Sequence, residues 1–234
     1  MNFEVIFLSQ NLLLFWQGFI SSLHILIWCL VVGGLLSLLL ALARVSSIRP
    51  LNLTVWCFTY VVRGTPLLVQ VYLIYYGVAQ LEWIQAMWNS VWPWTMFKNP
   101  FFCLVFAFTL NTCAYTTEML AGAIRETPAG EIEAARAAGF SHVQTMLHLV
   151  LPSALRRTLP AYSNEVIMML HSTSLASVVP GLLDLTGAAR AIYSKHFLPF
   201  EAFITAGVIY FCITFVLAFV LKKVEKRHLR YLRP

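Results

Sequence analysis

Residues 19–43, FISSLHILIWCLVVGGLLSLLLALA, contain no Asp, Glu, Lys or Arg. A helix crossing the hydrocarbon core of a bilayer needs about 20 mostly apolar residues, so this segment can span a membrane alone. Gly33 and Gly34 within it allow a neighbouring helix to come close. The rest of the chain agrees: only 11% of the 234 residues are charged and 59% are hydrophobic, whereas about a quarter are charged in a soluble domain. Four more apolar segments follow, at residues 53–76, 101–124, 152–179 and 200–221. The second is interrupted by RGTP, and the fourth is the least apolar. The expectation is an all-α integral membrane protein with five transmembrane helices, forming one domain over residues 1–234. No stretch between spans is long enough for a second core. Trp83, Trp88, Trp92 and Trp94 suit a membrane interface, and a short amphipathic stretch is expected near residues 184–193.

The net charge of +6 comes from Lys and Arg at span ends, which lipid orientation explains, so no nucleic-acid partner is expected. Across five spans, one side of the membrane holds Arg44, Arg49, Arg125, Arg136, Lys222, Lys223, Lys226, Arg227, Arg230 and Arg233; the other holds Lys98, Arg190 and Lys195. The richer side is expected to be cytoplasmic, with the N-terminus out and the C-terminus in. Residues 1–20 lack the basic start of a cleavable signal peptide. Cys29, Cys57, Cys103, Cys113 and Cys212 are scattered one per segment and read as small buried apolar residues, without redox or metal spacing. The histidines form no metal-ligand pattern, and no metal or cofactor is expected.

Between the third and fourth spans, residues 126–151 carry charge, alanine and glycine, and on the count above they face the cytoplasm. Thr127 can cap a helix that Pro128 opens, and Glu133 and Arg136, three apart, can pair. Gly139 suits the left-handed position that closes a helix. Ser141 and Gln144 form a capping box for a second helix, which Pro152 would stop or hand on to the next. By local signals alone this is either a solvated helical loop or a surface of small residues that enters a groove on another protein.

The pattern EAARAAG at 133–139, then LVLP at 149–152, resembles the EAA motif of permease subunits of ABC importers, with Leu149 where isoleucine is frequent. RGTPLLVQ, NTCAYTTE, LPSALRRTLPAYSNEV and HSTSLAS extend the resemblance over residues 18–225, towards the polar amino-acid branch and most of all the membrane subunits for histidine, arginine and other basic amino acids. The resemblance implies five spans, a bacterial cytoplasmic (inner) membrane and pairing with a sister permease, as a heterodimer or a homodimer. It also implies two copies of an ATP-binding ABC subunit, a periplasmic or lipid-anchored solute-binding protein, and docking of the ATPase on Glu133, Ala134, Ala135 and Gly139.

Polar residues also fall inside the apolar segments. At about 1.5 Å per residue, Arg63, Asn111 and the Asn164–Glu165 pair all lie about 15–20 Å into their spans, near mid-membrane. An ionised side chain there costs about 2.5–3.5 kcal/mol on insertion scales and belongs in the bundle interior, beside a partner or a wet cavity. Two readings follow: an Arg63–Glu165 ion pair that pins two helices, or a substrate cavity. In the second, Glu165 takes a cationic head and Arg63 a carboxylate, while Gly64 and Pro66 free backbone groups to face the cavity. His171 is a candidate gate residue or a packed histidine. Glu118 reads as structural, pairing with Arg125 or Arg157, and Arg156 and Arg157 are expected to snorkel to the surface.

Three function classes remain: a transporter subunit, an intramembrane enzyme, and a structural or regulatory membrane partner. The chain lacks the G-x-x-x-x-G-K-[ST], H-E-x-x-H and G-x-S-x-G patterns, which favours a non-enzymatic permease driven by a separate ATPase. Its expected substrate is a basic amino acid: arginine, histidine, lysine or ornithine. The alternatives are a neutral polar one such as glutamine, or a subunit that leaves substrate binding to its sister.

Overall fold

A computed structural model describes residues 3–87, 91–92 and 94–229, and among these every regular element is helical. Trp88, Arg230 and Arg233 lie outside the described residues. Helix α1, Ser9–Arg44, has 36 residues, a length of about 54 Å. It therefore starts well before the apolar run that announced it. Its buried stripe, Phe15, Gly18, Ser22, Ile25, Cys29, Gly33, Ser37 and Ala41, recurs every three or four residues, as one face of a helix must. A methyl group at Gly33 would lie 3.1 Å from Thr109 O, and one at Gly18 only 2.7 Å from Asp184 O. These two glycines let α1 lie directly against its neighbours.

The second apolar segment is a broken element. Helix α2, Arg49–Arg63, stops at Gly64; Leu67–Tyr72 (α3) continues into a π-helical turn at Leu73–Gly77, and the two halves meet at 103°. Pro66 has no N–H to continue the ladder. A single helix over residues 53–76 is therefore replaced by an elbow. A short α4, Glu82–Met87, leads to α5, Pro100–Arg125, whose Asn99 side chain accepts from Phe101 N as its cap. Helix α5 is the centre of the bundle. It touches α1, α2, α3 and α8 and buries mostly small or hydroxylated side chains, Ala107, Thr109, Thr112, Ala114, Thr116, Thr117 and Ala121. In lipid, close packing of small residues holds helices together where the hydrophobic effect cannot. Leu104, Phe108, Ile25, Cys29 and Leu170 fill one core; Ala41, Leu120, Ile124, Val150 and Ala154 fill another at the far end of α1.

Helix α6, Ala129–Ala137, is followed by α7, His142–Thr145, which runs through a π-helical turn at Met146–Val150 into α8, Leu151–Ser172. Pro152 therefore stops nothing: it sits in the first turn of α8, where a missing N–H is tolerated. Residues 173–178 tighten into a 3-10 segment rather than prolonging the expected fourth span to residue 179. Helix α9, Leu185–His196, is capped by buried Asp184, which accepts from Thr186 N at 2.9 Å and Gly187 N at 3.2 Å. Helix α10, Pro199–His228, buries only Glu201, Ala202 and Ala206. Among the described residues, α1, α5 and α10 are each long and apolar enough to cross a membrane, and the α2–α3 elbow passes the same test as a bent pair. Helix α8 does not, because Arg156, Arg157, Asn164 and Glu165 make it too polar. Cys57 and Cys212 are exposed, correcting the expectation that all five cysteines are buried.

Candidate functional site: a polar cavity at the α2–α3 elbow

A cavity of about 730 Å³ lies where the elbow meets α5 and α8. The elbow contributes Arg63, Gly64 and Thr65, α5 contributes Asn111, Tyr115 and Met119, and α8 contributes Ala161, Asn164, Glu165 and Met168. The spacings 111, 115, 119 and 161, 164, 165, 168 each describe one helix face. Four of the five residues anticipated from sequence, Arg63, Asn111, Asn164 and Glu165, thus share one space. Arg63 and Glu165 do not meet: among the described residues the ion pair within 4.0 Å is Arg44–Glu118. The Arg63 guanidinium instead lies over the Tyr115 ring, 5.3 Å from its centroid, a cation–π arrangement. Its charge and the Glu165 carboxylate remain available to something in the cavity.

The elbow is held by a side chain that sequence reasoning passed over. Gln70 Nε2 donates to Val62 O at 2.6 Å, to Thr65 O at 3.0 Å and to Thr65 Oγ1 at 3.0 Å, and Gln70 Oε1 accepts from Asn111 Nδ2 at 3.1 Å. Two of the carbonyls at the break, Val62 O and Thr65 O, are taken by Gln70, while Gly64, Thr65 and Pro66 line the cavity. The available signal was position: Gln70 ends the RGTPLLVQ stretch, one turn after Pro66. Tyr115 was also missed, although it stands one helical turn from Asn111 in the same pattern.

His171 does not join this cavity. Its Nε2 lies 3.1 Å from Thr214 Oγ1 on α10, and it lines a separate depression with Thr186 and Tyr210. The cavity face of α8 continues through Met168 to Ser172, while the His171 ring is directed to Thr214 on α10. Glu118 is structural but with a different partner: its Oε1 accepts from Arg44 Nε at 2.8 Å and Thr59 Oγ1 at 2.7 Å, while Arg44 Nη1 donates to Asn52. Arg157 does not snorkel. It is half-buried and donates to Ala123 O, Thr127 Oγ1 and Ser153 Oγ, tying α8 to the end of α5. Thr127 Oγ1 accepts from Arg157 rather than capping a helix, and the α6 N-cap position is Pro128, without a side-chain bond.

A second surface lies on α6 and α7. Glu133, Ala134 and Gly139 are exposed and Ala135 is half-buried. Gly139 has φ +85°; its N–H bonds Arg136 O and the Phe140 N–H bonds Ala135 O, which is the Schellman closure. Ser141 and Gln144 form both halves of the capping box. Glu133 and Arg136 form no ion pair. Phe140, Val143 and Leu147 are exposed beside the corner, a small apolar patch next to the alanines.

Residues 33–230 match the family described as binding-protein-dependent transport system inner membrane component. Over 224 residues the chain is 49% identical to the histidine/lysine/arginine/ornithine transport system permease protein HisM of Escherichia coli, covering 93% of this chain and 90% of that protein. It is 43% identical over 189 residues to the nopaline transport system permease protein NocM of Agrobacterium fabrum, covering 81% and 77%. Its fold matches a chain from the crystal structure of an amino acid ABC transporter with histidines, with a TM-score of 0.79 and 33% identity over 93% of this chain and 95% of that one. The MetNI methionine ABC transporter gives a TM-score of 0.64 at 18% identity over 92% and 94%, a likeness of fold alone. The chain belongs to the binding-protein-dependent transport system inner membrane components, the permease family of ABC importers.

Proposed function

We propose that this chain is the multi-pass permease subunit of a bacterial inner-membrane importer for basic amino acids, and that the elbow cavity is its substrate site. One observation carries the reading: Arg63 and Glu165, on different helices, line one cavity without pairing. A basic amino acid carries a carboxylate, an ammonium and a second cationic head. The Arg63 guanidinium can hold the first by a two-pronged contact, and Glu165 with the side-chain oxygens of Asn111 and Asn164 can hold the cations. Glu165 is half-buried and Arg63 exposed at the cavity rim, and a zwitterion with a cationic arm complements both charges. The relatives named for histidine, lysine, arginine and ornithine support the same substrate class. Five crossings are assigned to α1, the α2–α3 elbow, α5, α8 and α10, with the N-terminus outside and α6–α7 in the cytoplasm. Glu133, Ala134, Ala135 and Gly139 then meet an ATP-binding subunit, one per permease in a paired complex that a solute-binding protein loads from outside. This chain hydrolyses nothing itself; ATP binding closes the motor, and α6–α7 pass the movement to the cavity.

Glu165→Gln tests the site. Arginine binding to the purified permease–ATPase complex, without the solute-binding protein, should weaken at least about tenfold, equivalent to about 1.4 kcal/mol, with complex yield unchanged. Unaltered binding overturns the assignment of the cavity.

A further inference from the structure

Gln70 meets two carbonyls and one hydroxyl at the elbow, and the hydroxyl proton of Thr65 is directed to Val61 O and Val62 O, so all three atoms face Gln70 as acceptors. Val62 O and Thr65 O are carbonyl oxygens and cannot donate. A Gln70 amide turned the other way would press its own oxygen against them at 2.6 and 3.0 Å, so the orientation is forced: Nε2 towards the elbow, Oε1 away from it. The next side chain along is Asn111, which is nine-tenths buried and touches Gln70 Oε1 through Nδ2 at 3.1 Å. With Oε1 as the only atom presented, Asn111 is forced in turn to donate. With Nδ2 anchored on Gln70, Oδ1 takes no part in that bond and is the acceptor Asn111 can offer the cavity it lines, beside the second Nδ2 hydrogen.

We propose that Gln70 is a positioning residue that sets the polarity of the substrate site: through the Asn111 amide it converts the broken backbone at Val62–Thr65 into a fixed hydrogen-bond acceptor, selecting ligands with a donor-rich cationic head over neutral isosteres. The order of dependence runs in one direction, from elbow carbonyls to Gln70, to Asn111, to ligand. An asparagine free to turn would present either its oxygen or its NH2 and would tolerate a ligand carbonyl. Held this way, its oxygen keeps one place, and a ligand carbonyl set at that place is rejected because no proton lies between the two. Glu165 attracts positive charge in any orientation, whereas the Asn111 oxygen judges whether the head carries N–H groups all round. Arginine and citrulline make the relevant comparison: they have the same shape, and the guanidinium of one is replaced by a ureido carbonyl in the other. This inference rests on the cavity being the substrate site.

The test measures binding of arginine and of citrulline to the purified permease–ATPase complex without its solute-binding protein, for wild type, Gln70→Met, Asn111→Leu and Glu165→Gln. Gln70→Met keeps the length of the side chain and removes its amide. The expected result is a fall of about tenfold or more in the arginine-to-citrulline affinity ratio for both Gln70→Met and Asn111→Leu; a loss of packing alone would weaken both ligands alike and leave the ratio. A ratio that falls in Asn111→Leu and holds in Gln70→Met overturns the relay through Gln70. A ratio that holds in both, while Glu165→Gln weakens arginine, overturns the selective role of Asn111 and leaves the cavity as the site. Arginine binding that is untouched in Glu165→Gln as well removes the cavity assignment and this inference with it.

Discussion

Gly18 and Gly139 are both required to be glycine, for different reasons. At Gly139 the backbone is left-handed, with φ +85° and open space around the Cα, so a side chain meets no neighbour but costs about 1–2 kcal/mol in dihedral strain. At Gly18 the dihedrals are helical and the obstacle is Asp184 O at 2.7 Å, a backbone atom that cannot swing away. Gly18→Ala should therefore lower the melting temperature of the detergent-solubilised complex, at a cost of about 1–3 kcal/mol of overpacking. Gly139→Ala should lower it less, because the exposed corner can relax locally, and should reduce arginine uptake. A complex carrying Gly18→Ala that melts with the wild type would show that α1 and the α9 cap are less tightly apposed than 2.7 Å implies. Gly139 could be read from sequence because its signal is local: it follows a helical run and precedes a capping box. Gly18 could not, because its reason sits in a loop far along the chain.

Among the elements, α1, α2 and α5 are joined by one cluster, in which the Arg44 and Glu118 side chains are 13% and 17% exposed and Thr59 and Asn52 complete their bonding. Removing one partner of a buried pair leaves a bare charge at a cost of about 3–5 kcal/mol, while replacing both with apolar side chains is often neutral. Arg44→Met alone should thus destabilise the complex more than Arg44→Met combined with Glu118→Leu, and a thermal double-mutant cycle measures the difference. If the double variant is worse than either single one, the cluster holds the helices by more than its charges. The spans at α1, α5 and α10 could be read from apolar length alone. The elbow was only half legible. RGTP announced a break, but not the 103° turn, nor that Gln70 would take the Val62 and Thr65 carbonyls. Glu118 was recognised as structural with the wrong arginine as partner, since no pattern along one chain links residue 44 to residue 118. Helix α8 is too polar to pass as a span by composition, and the same polar face that hides it brings Asn164 and Glu165 to the cavity.

For the whole molecule, the exposed surface of α6 and α7 is where a motor subunit is proposed to dock, and this can be tested by proximity. Ala137→Cys, with Cys57 and Cys212 replaced because both are exposed, should crosslink to the ATP-binding subunit and should react with an impermeant thiol reagent only from the cytoplasmic side. Reaction from the outside in intact cells would invert the assigned topology. The unbroken run from Ser141 through the π-helical turn to Ser172 then has a mechanical meaning. Glu165 rides on this run about 36 Å from its start, at about 1.5 Å per residue. A tilt of about 10° pivoting at the Gly139 corner would displace the carboxylate by about 6 Å over that length, enough to withdraw it from a bound cation while Arg63, anchored on the elbow, stays put. On the proposed reading, α6 is the short arm of a lever whose long arm runs through α8, so a small push on α6 from a motor subunit would loosen the grip on cargo without the motor touching the cavity.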